Sequence, residues 1–276
     1  MPRLLVFYAR VGDLVLLTPL MRALASQGPL ELAARPWAVP LLADQPWLSA
    51  IHPLAKPNRG GWKDALAGAP RRKMADRLSQ RGFDEIVVFD TETPAIAAWI
   101  ATWRGATPQR IIAIKPYGRA HKVDAFRDGA IAAGIPAAAF PTAPVLDLDP
   151  RRVQSAQQRV GTLGRRVVAI QAGSSLTHRW WRKQVNVKGL GHGQWARLAG
   201  RLVTDGDADA IVLLGSAPER REAQAIIRAA APELRPRLHD WTGQVSLADL
   251  PAVLKACRAA VSVDTGPGHI AAAVGT

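Results

Sequence analysis

Near the end of the chain, Val263-Asp264-Thr265-Gly266-Pro267-Gly268-His269 follows a short alternating apolar run and precedes Ile270-Ala271-Ala272-Ala273. A strand that ends in a glycine-rich turn and opens a helix points unbonded backbone N–H groups past the carboxyl edge of its sheet. Such a corner binds an anion, for example a diphosphate, without a metal ion. Asp264, Thr265 and His269 add an acceptor, a hydroxyl and an imidazole to the same rim. The competing reading is a tight βα turn in which Asp264 caps the helix.

Three further places carry the right chemistry. Gly12-Asp13 sits between the first apolar run and the helix after it, where open α/β sheets bind ligands. A carboxylate there can take a proton from a hydroxyl as general base or cap the helix; the two roles can coexist, though a capped carboxylate is the weaker base. The loop Gln171-Ala172-Gly173-Ser174-Ser175-Leu176-Thr177-His178-Arg179 also follows an apolar run. Its small residues let backbone approach a phosphate and Arg179 offers a two-pronged charge; otherwise it is simply a polar loop. Glu219, after Leu214-Gly215-Ser216-Ala217-Pro218, either accepts from ribose hydroxyls or offsets the helix dipole.

No metal site is expected. Asp147-x-Asp149 lies in a proline-rich stretch, and Asp207-x-Asp209 precedes a strand, away from the ligand rim. His52, His192 and His239 show no ligand spacing, and the lone Cys257 excludes disulfides and a cysteine-based zinc cluster. Lys56, Arg59, Lys63, Arg71, Arg72, Lys73 and Arg77 cluster around Trp62. They form either a solvated face or a grip on a phosphorylated acceptor at a membrane surface.

These residues need a frame. Apolar runs at 4–8, 30–34, 85–90 and 110–114 read as buried strands. Helical stretches lie between, reaching residue 26 and spanning 69–81 and 123–133, with Thr18-Pro19 capping or kinking the first. The segment 136–150 is rich in Ala and Pro and reads as a connection. The alternation then restarts, with strands at 167–171, 210–215 and 260–263 and helices at 151–161, 195–205, 218–231 and 247–258. Two βα runs imply two parallel sheets, in domains 1–150 and 151–276. Neither opens with Gly-x-Gly-x-x-Gly or a Walker A lysine loop, which argues against a nicotinamide-binding or P-loop fold.

A chain of 276 residues, 48% apolar, suits two domains. No run reaches the ~18 apolar residues of a membrane span and no signal peptide is apparent, so a soluble cytoplasmic protein is expected. The net charge of +14, from 36 Lys+Arg against 22 Asp+Glu, points to a polyanionic partner or to arginine-rich codon usage. Nucleic acid is not the expected anion, because no zinc finger, ribonucleoprotein motif or basic zipper occurs.

In order along the chain stand Val11-Gly12-Asp13-Leu14 with Thr18-Pro19-Leu20, Ala172-Gly173-Ser174-Ser175, Leu214-Gly215 with Glu219, Trp241-Thr242-Gly243, and the run from Val263 to Ala273. Together they resemble glycosyltransferase family 9, the bacterial lipopolysaccharide heptosyltransferases, over nearly the whole chain. The resemblance implies an α/β GT-B fold, two Rossmann-like parallel-sheet domains facing a cleft, with acceptor in the first and sugar nucleotide in the second. It implies inverting, metal-independent transfer of heptose from ADP-heptose to the lipopolysaccharide inner core, with no cofactor beyond the donor. Asp13 then falls on the catalytic base. Ser174, Ser175 and Arg179 fall on the donor-phosphate loop, Glu219 on the ribose contact, and Asp264, Thr265, Gly266 and His269 on the nucleotide-sugar turn. Arg59 and Lys63 fall near the acceptor-binding stretch.

The implied partners are a sugar nucleotide, a phosphorylated inner-core acceptor and the anionic inner face of the cytoplasmic membrane. Arg179 departs from the family's frequent lysine. Family members continue past Gly275-Thr276, so a C-terminally truncated second domain is expected. A non-catalytic sugar-nucleotide or glycolipid binder and a GT-B nucleotide-sugar epimerase are the alternative functions.

Overall fold

The computed structural model describes residues 2–7, 10–53, 76–89, 110–114, 121–132, 134–173 and 190–276. The chain divides into two units, Met1–Val145 and Leu146–Thr276.

The first unit is built on strands β1 (Arg3–Phe7), β2 (Leu30–Ala34), β3 (Ala50–Pro53), β4 (Glu85–Phe89) and β5 (Arg110–Ile114), paired in the order β3-β2-β1-β4-β5. All pairs are parallel, Leu5 lying opposite Leu32 on one side and Val87 on the other. The order reverses between β1 and β4, which makes the carboxyl end of β1 the topological switch point where such sheets bind ligands. Leu4, Val6, Ala33, Ile86 and Val88 alternate onto one face and pack with Leu78 and Phe83. Phe7 meets Phe126 edge to face, with ring centroids 6.4 Å apart. Phe126 belongs to helix α4 (Lys122–Ala132).

The helix after β1 is interrupted. Helix α1 (Val11–Leu16) stops at Leu17, and α2 (Thr18–Ala25) starts afresh with Pro19 in its first turn. Proline has no N–H to continue a helix but suits a helix start, and the Thr18 hydroxyl donates to the Val15 carbonyl at 2.8 Å. The short helix α3 (Ala38–Leu42) and strand β3 are elements that hydrophobic period alone does not reveal. Of the expected helix over 69–81, residues 76–79 are helical and the earlier part lies outside the described residues. Val145, at the unit's end, donates its N–H to the Thr18 hydroxyl at 3.2 Å.

The second unit begins with helix α5 (Pro150–Gly161), capped by Asp149, whose carboxylate accepts the Arg151 N–H at 2.8 Å. Strands β6 (Val167–Gln171), β7 (Ala210–Leu213), β8 (Leu238–Asp240) and β9 (Ala259–Ser262) form a parallel sheet in the order β8-β7-β6-β9. Helices α6 (His192–Thr204), α7 (Arg220–Ala229), α8 (Leu250–Ala256) and α9 (Gly266–Ala273) complete it. Val168, Ile170, Ile211 and Leu213 pack against Trp195, Ala199, Ala223 and Ile226 of α6 and α7.

The expected helix over 218–231 begins instead as a 3-10 turn, Ala217–Glu219, before α7, and that over 247–258 is shorter. Asp209 is held by the Arg165 and Arg166 backbone N–H groups at 2.9 and 2.8 Å and by the Arg166 guanidinium at 2.7 Å. The Arg166 contacts keep its carboxyl below the usual carboxylate range. Among the described residues, no helix is long and apolar enough to cross a membrane.

Candidate active site

In the first unit the decisive residue is Asp13. The N-cap of α1 is Arg10, and Asp13 is the third helical residue, with its Oδ2 accepting the Arg10 N–H at 3.4 Å. That bond is long, so the helix end takes little of the carboxylate's hydrogen-bonding capacity. Oδ1 is ion-paired instead with Lys122, the first residue of α4. The Asp13 side chain keeps 20% of its exposure. Cap and base were both open readings of Gly12-Asp13; the geometry leaves this carboxylate mostly unspent by its own helix.

The second unit gathers its candidates at the carboxyl ends of β6, β7 and β9. Its strand order reverses between β6 and β9, and Gln171 pairs with Ser262 there. At the β9 corner the N-cap of α9 is Thr265, not Asp264, and its hydroxyl donates to the Val263 carbonyl at 3.2 Å rather than capping the helix. Asp264 projects outward, 70% exposed, with its Oδ1 3.6 Å from His269 Nε2. The first-turn donors are fewer than expected for such a corner. Pro267 has no N–H, and the Gly268 and His269 N–H groups donate to the Thr265 carbonyl at 3.1 and 3.4 Å. The Thr265 and Gly266 N–H groups donate to no carbonyl among the described residues, and the dipole of α9 points the same way. A Cβ on Gly268 would run into the Ser262 hydroxyl, which would have to turn away.

Glu219 is buried and already engaged. Its Oε2 accepts the Ser216 N–H at 2.7 Å and the Ser216 hydroxyl at 2.6 Å, while Gln171 Nε2 donates to Oε1 at 3.1 Å. This closes a capping box on the turn Ala217–Glu219. Three of roughly four acceptor positions on the carboxylate are therefore filled. Gly173 has no side chain for a related reason: a Cβ would meet Glu219 Oε1. Ser174, Ser175 and Arg179, together with Arg59 and Lys63, lie outside the described residues. Among the described residues, no group of three or more His, Cys, Asp or Glu side chains is arranged to hold a metal ion.

The family model for glycosyltransferase family 9 (heptosyltransferase) matches residues 71–276. The chain belongs to glycosyltransferase family 9. Solved structures carry the same fold at low identity. The E. coli ADP-heptose lipopolysaccharide heptosyltransferase II is 20% identical, with a TM-score of 0.74 over 99% of this chain and 82% of that one. A family 9 glycosyltransferase from Veillonella parvula is 15% identical, with a TM-score of 0.78 over 100% and 79%. The E. coli heptosyltransferase WaaC, solved with ADP, is 18% identical, with a TM-score of 0.71 over 99% and 85%. No curated protein sequence matches significantly. The fold is thus the GT-B type, with two Rossmann-like units, and the protein is a glycosyltransferase.

Within the family 9 framework the Trp241-Thr242-Gly243 motif gains a physical role. Thr242 is buried and donates its N–H to Asp240 Oδ1 at 2.9 Å, while its carbonyl accepts from Arg220 Nη2 at 2.9 Å. The Gly243 N–H donates to the Gly215 carbonyl at 2.8 Å. The motif therefore ties the corner after β8 to the one that carries Glu219. Two residues of this family member escaped sequence reasoning. The sequence marks Gln171 only as the start of a polar loop, and Lys122 lies 109 positions from Asp13 with no local pattern to mark it.

Proposed function

We propose that this family 9 enzyme transfers heptose from ADP-heptose to an anionic acceptor of the lipopolysaccharide inner core, with inversion and without a metal ion. The acceptor hydroxyl oxygen attacks the anomeric carbon, and the bond from that carbon to the diphosphate oxygen breaks with its electron pair leaving on ADP. Asp13 takes the hydroxyl proton. A single displacement inverts the anomeric centre. Negative charge grows on the leaving diphosphate, so donors fixed in advance supply much of the rate. Those donors are the Gly266 N–H with the α9 dipole, together with Ser174, Ser175 and Arg179. In this reading His269, Asp264 and Thr265 line the nucleotide-sugar turn, and the remaining acceptor position of Glu219 takes a ribose hydroxyl. Arg59 and Lys63 hold the anionic acceptor, and the net charge of +14 favours the anionic inner face of the cytoplasmic membrane.

The observation that carries this reading is the state of Asp13. It sits at the switch point of its sheet and gives its own helix only one hydrogen bond, at 3.4 Å. A carboxylate that α1 used fully as a cap would make a poor base. Asp13→Asn should lower kcat by about 10²–10⁴-fold while ADP binding, followed by calorimetry, stays unchanged. Full turnover by that variant sinks the assignment. Mass spectrometry of products from several nucleotide sugars and deacylated core acceptors tests the substrate pair. A donor isomerised without acceptor would show an epimerase instead.

A further inference from the structure

We propose that Lys122 is the positioning residue of Asp13, an inference that rests on the reading of Asp13 as the base. Helix α4 is docked on the strand that feeds α1. Phe126, buried, packs edge to face on Phe7 at the end of β1, and Ala130 is fully buried on the same helix. Lys122 lies four residues before Phe126, hence one turn away on the same face, and its ammonium pairs with Asp13 Oδ1. The start of α4 is itself held, the Ala125 N–H donating to the His121 carbonyl at 2.9 Å. Strand β1, helix α1 and helix α4 thus close a ring of contacts, with the Asp13–Lys122 pair as its outer link. Lys122 holds the carboxylate through Oδ1, while Oδ2 keeps only the long contact with the Arg10 N–H.

Magnitudes separate orientation from stability. The Lys122 side chain is 48% exposed, and a pair with so exposed a partner adds little to folding. Aim matters more: a displaced catalytic group loses rate steeply even when the fold is intact. Lys122 keeps Asp13 turned in one direction, and the acceptor hydroxyl approaches the less encumbered Oδ2.

The test is steady-state kinetics on the full chain with its nucleotide-sugar donor and acceptor. Lys122→Met should lower kcat by about 5- to 50-fold, with both KM values within twofold and an unchanged melting temperature. Lys122→Arg should restore most of the rate. In an Asp13→Asn background, Lys122→Met should change the residual turnover less than twofold, because the group it positions is gone. Wild-type kcat in Lys122→Met beside an inactive Asp13→Asn overturns this inference alone. An active Asp13→Asn overturns the base assignment beneath it. A raised acceptor KM at unchanged kcat means that Lys122 grips the acceptor directly, which also overturns the proposal. Should Lys122→Met fail to fold, Lys122→Gln carries the same comparison.

Discussion

Gln171 Nε2 donates to Glu219 Oε1 at 3.1 Å and to the Gly173 carbonyl at 3.2 Å, so the last residue of β6 holds the corner that follows β7. The amide has one workable orientation, since turning it over would set oxygen against two acceptors. Its own oxygen is buried without a partner among the described residues. The arrangement is one-directional: Glu219 supplies acceptors, and everything around it supplies donors.

Glu219→Gln should therefore fail to substitute. An amide offers one acceptor oxygen where Gln171 and Ser216 present three donor contacts to two oxygens. Its NH₂ would face one of those donors. Both Glu219→Gln and Glu219→Ala should lose about 1–3 kcal/mol of stability in urea denaturation. A Glu219→Gln protein as stable as wild type would show that the network is not a structural brace.

Gly243→Ala should damage the same corner from the other side. Gly243 has φ +72°, which strains any L side chain, and a Cβ would lie 2.8 Å from the Ala217 Cβ. The expected loss exceeds about 1 kcal/mol, and ADP affinity by calorimetry should fall with it as the turn at Ala217–Glu219 shifts. Unaltered melting and ADP affinity would contradict the packing at this turn.

How much of this was legible beforehand depended on the range of the interaction. Leu4–Phe7 and Val167–Ile170 are buried runs whose period and position made strands unambiguous, and parallel pairing followed from the helices between them. Thr18-Pro19 stayed open because a proline that starts one helix also ends the one before it. Strands β3 and β8 have four and three residues, too few for a period, and exist because a neighbouring strand pairs with them. Asp13 is visible as an acid at a rim, but how much of it the helix uses depends on the N-cap being Arg10 and on the length of one hydrogen bond, neither of which the sequence displays. Lys122 was invisible, since its meaning comes from a fold that brings residues 13 and 122 together.

Cys257 should be inert in the folded protein. It is 5% exposed and burial pushes its thiol up to about 12. At pH 8 only about one thiol in ten thousand is then the reactive thiolate. An aromatic disulfide reagent should leave it unmodified for hours and titrate it at once in denaturant. Rapid modification of the native protein would mean that this side of α8 opens readily.

Glu31 shows where a buried charge serves the frame and not the chemistry. It is 2% exposed on β2, with Oε2 2.6 Å from His52 Nε2 on β3 and Oε1 accepting from Arg81 Nε at 3.1 Å. Being the second residue of its strand, it lies at the amino end of the sheet, away from the rim where Asp13 stands. Burying a carboxylate is costly unless partners such as these take up its oxygens. Arg81→Met should cost about 1–3 kcal/mol, less than for a fully buried pair because the Arg81 side chain is 46% exposed. Adding Glu31→Gln should recover part of that loss, since the amide keeps a hydrogen bond to His52 and leaves no uncompensated charge. Turnover should stay within twofold of wild type in both variants. A large fall in kcat with the fold intact would move this cluster from the frame into the active site.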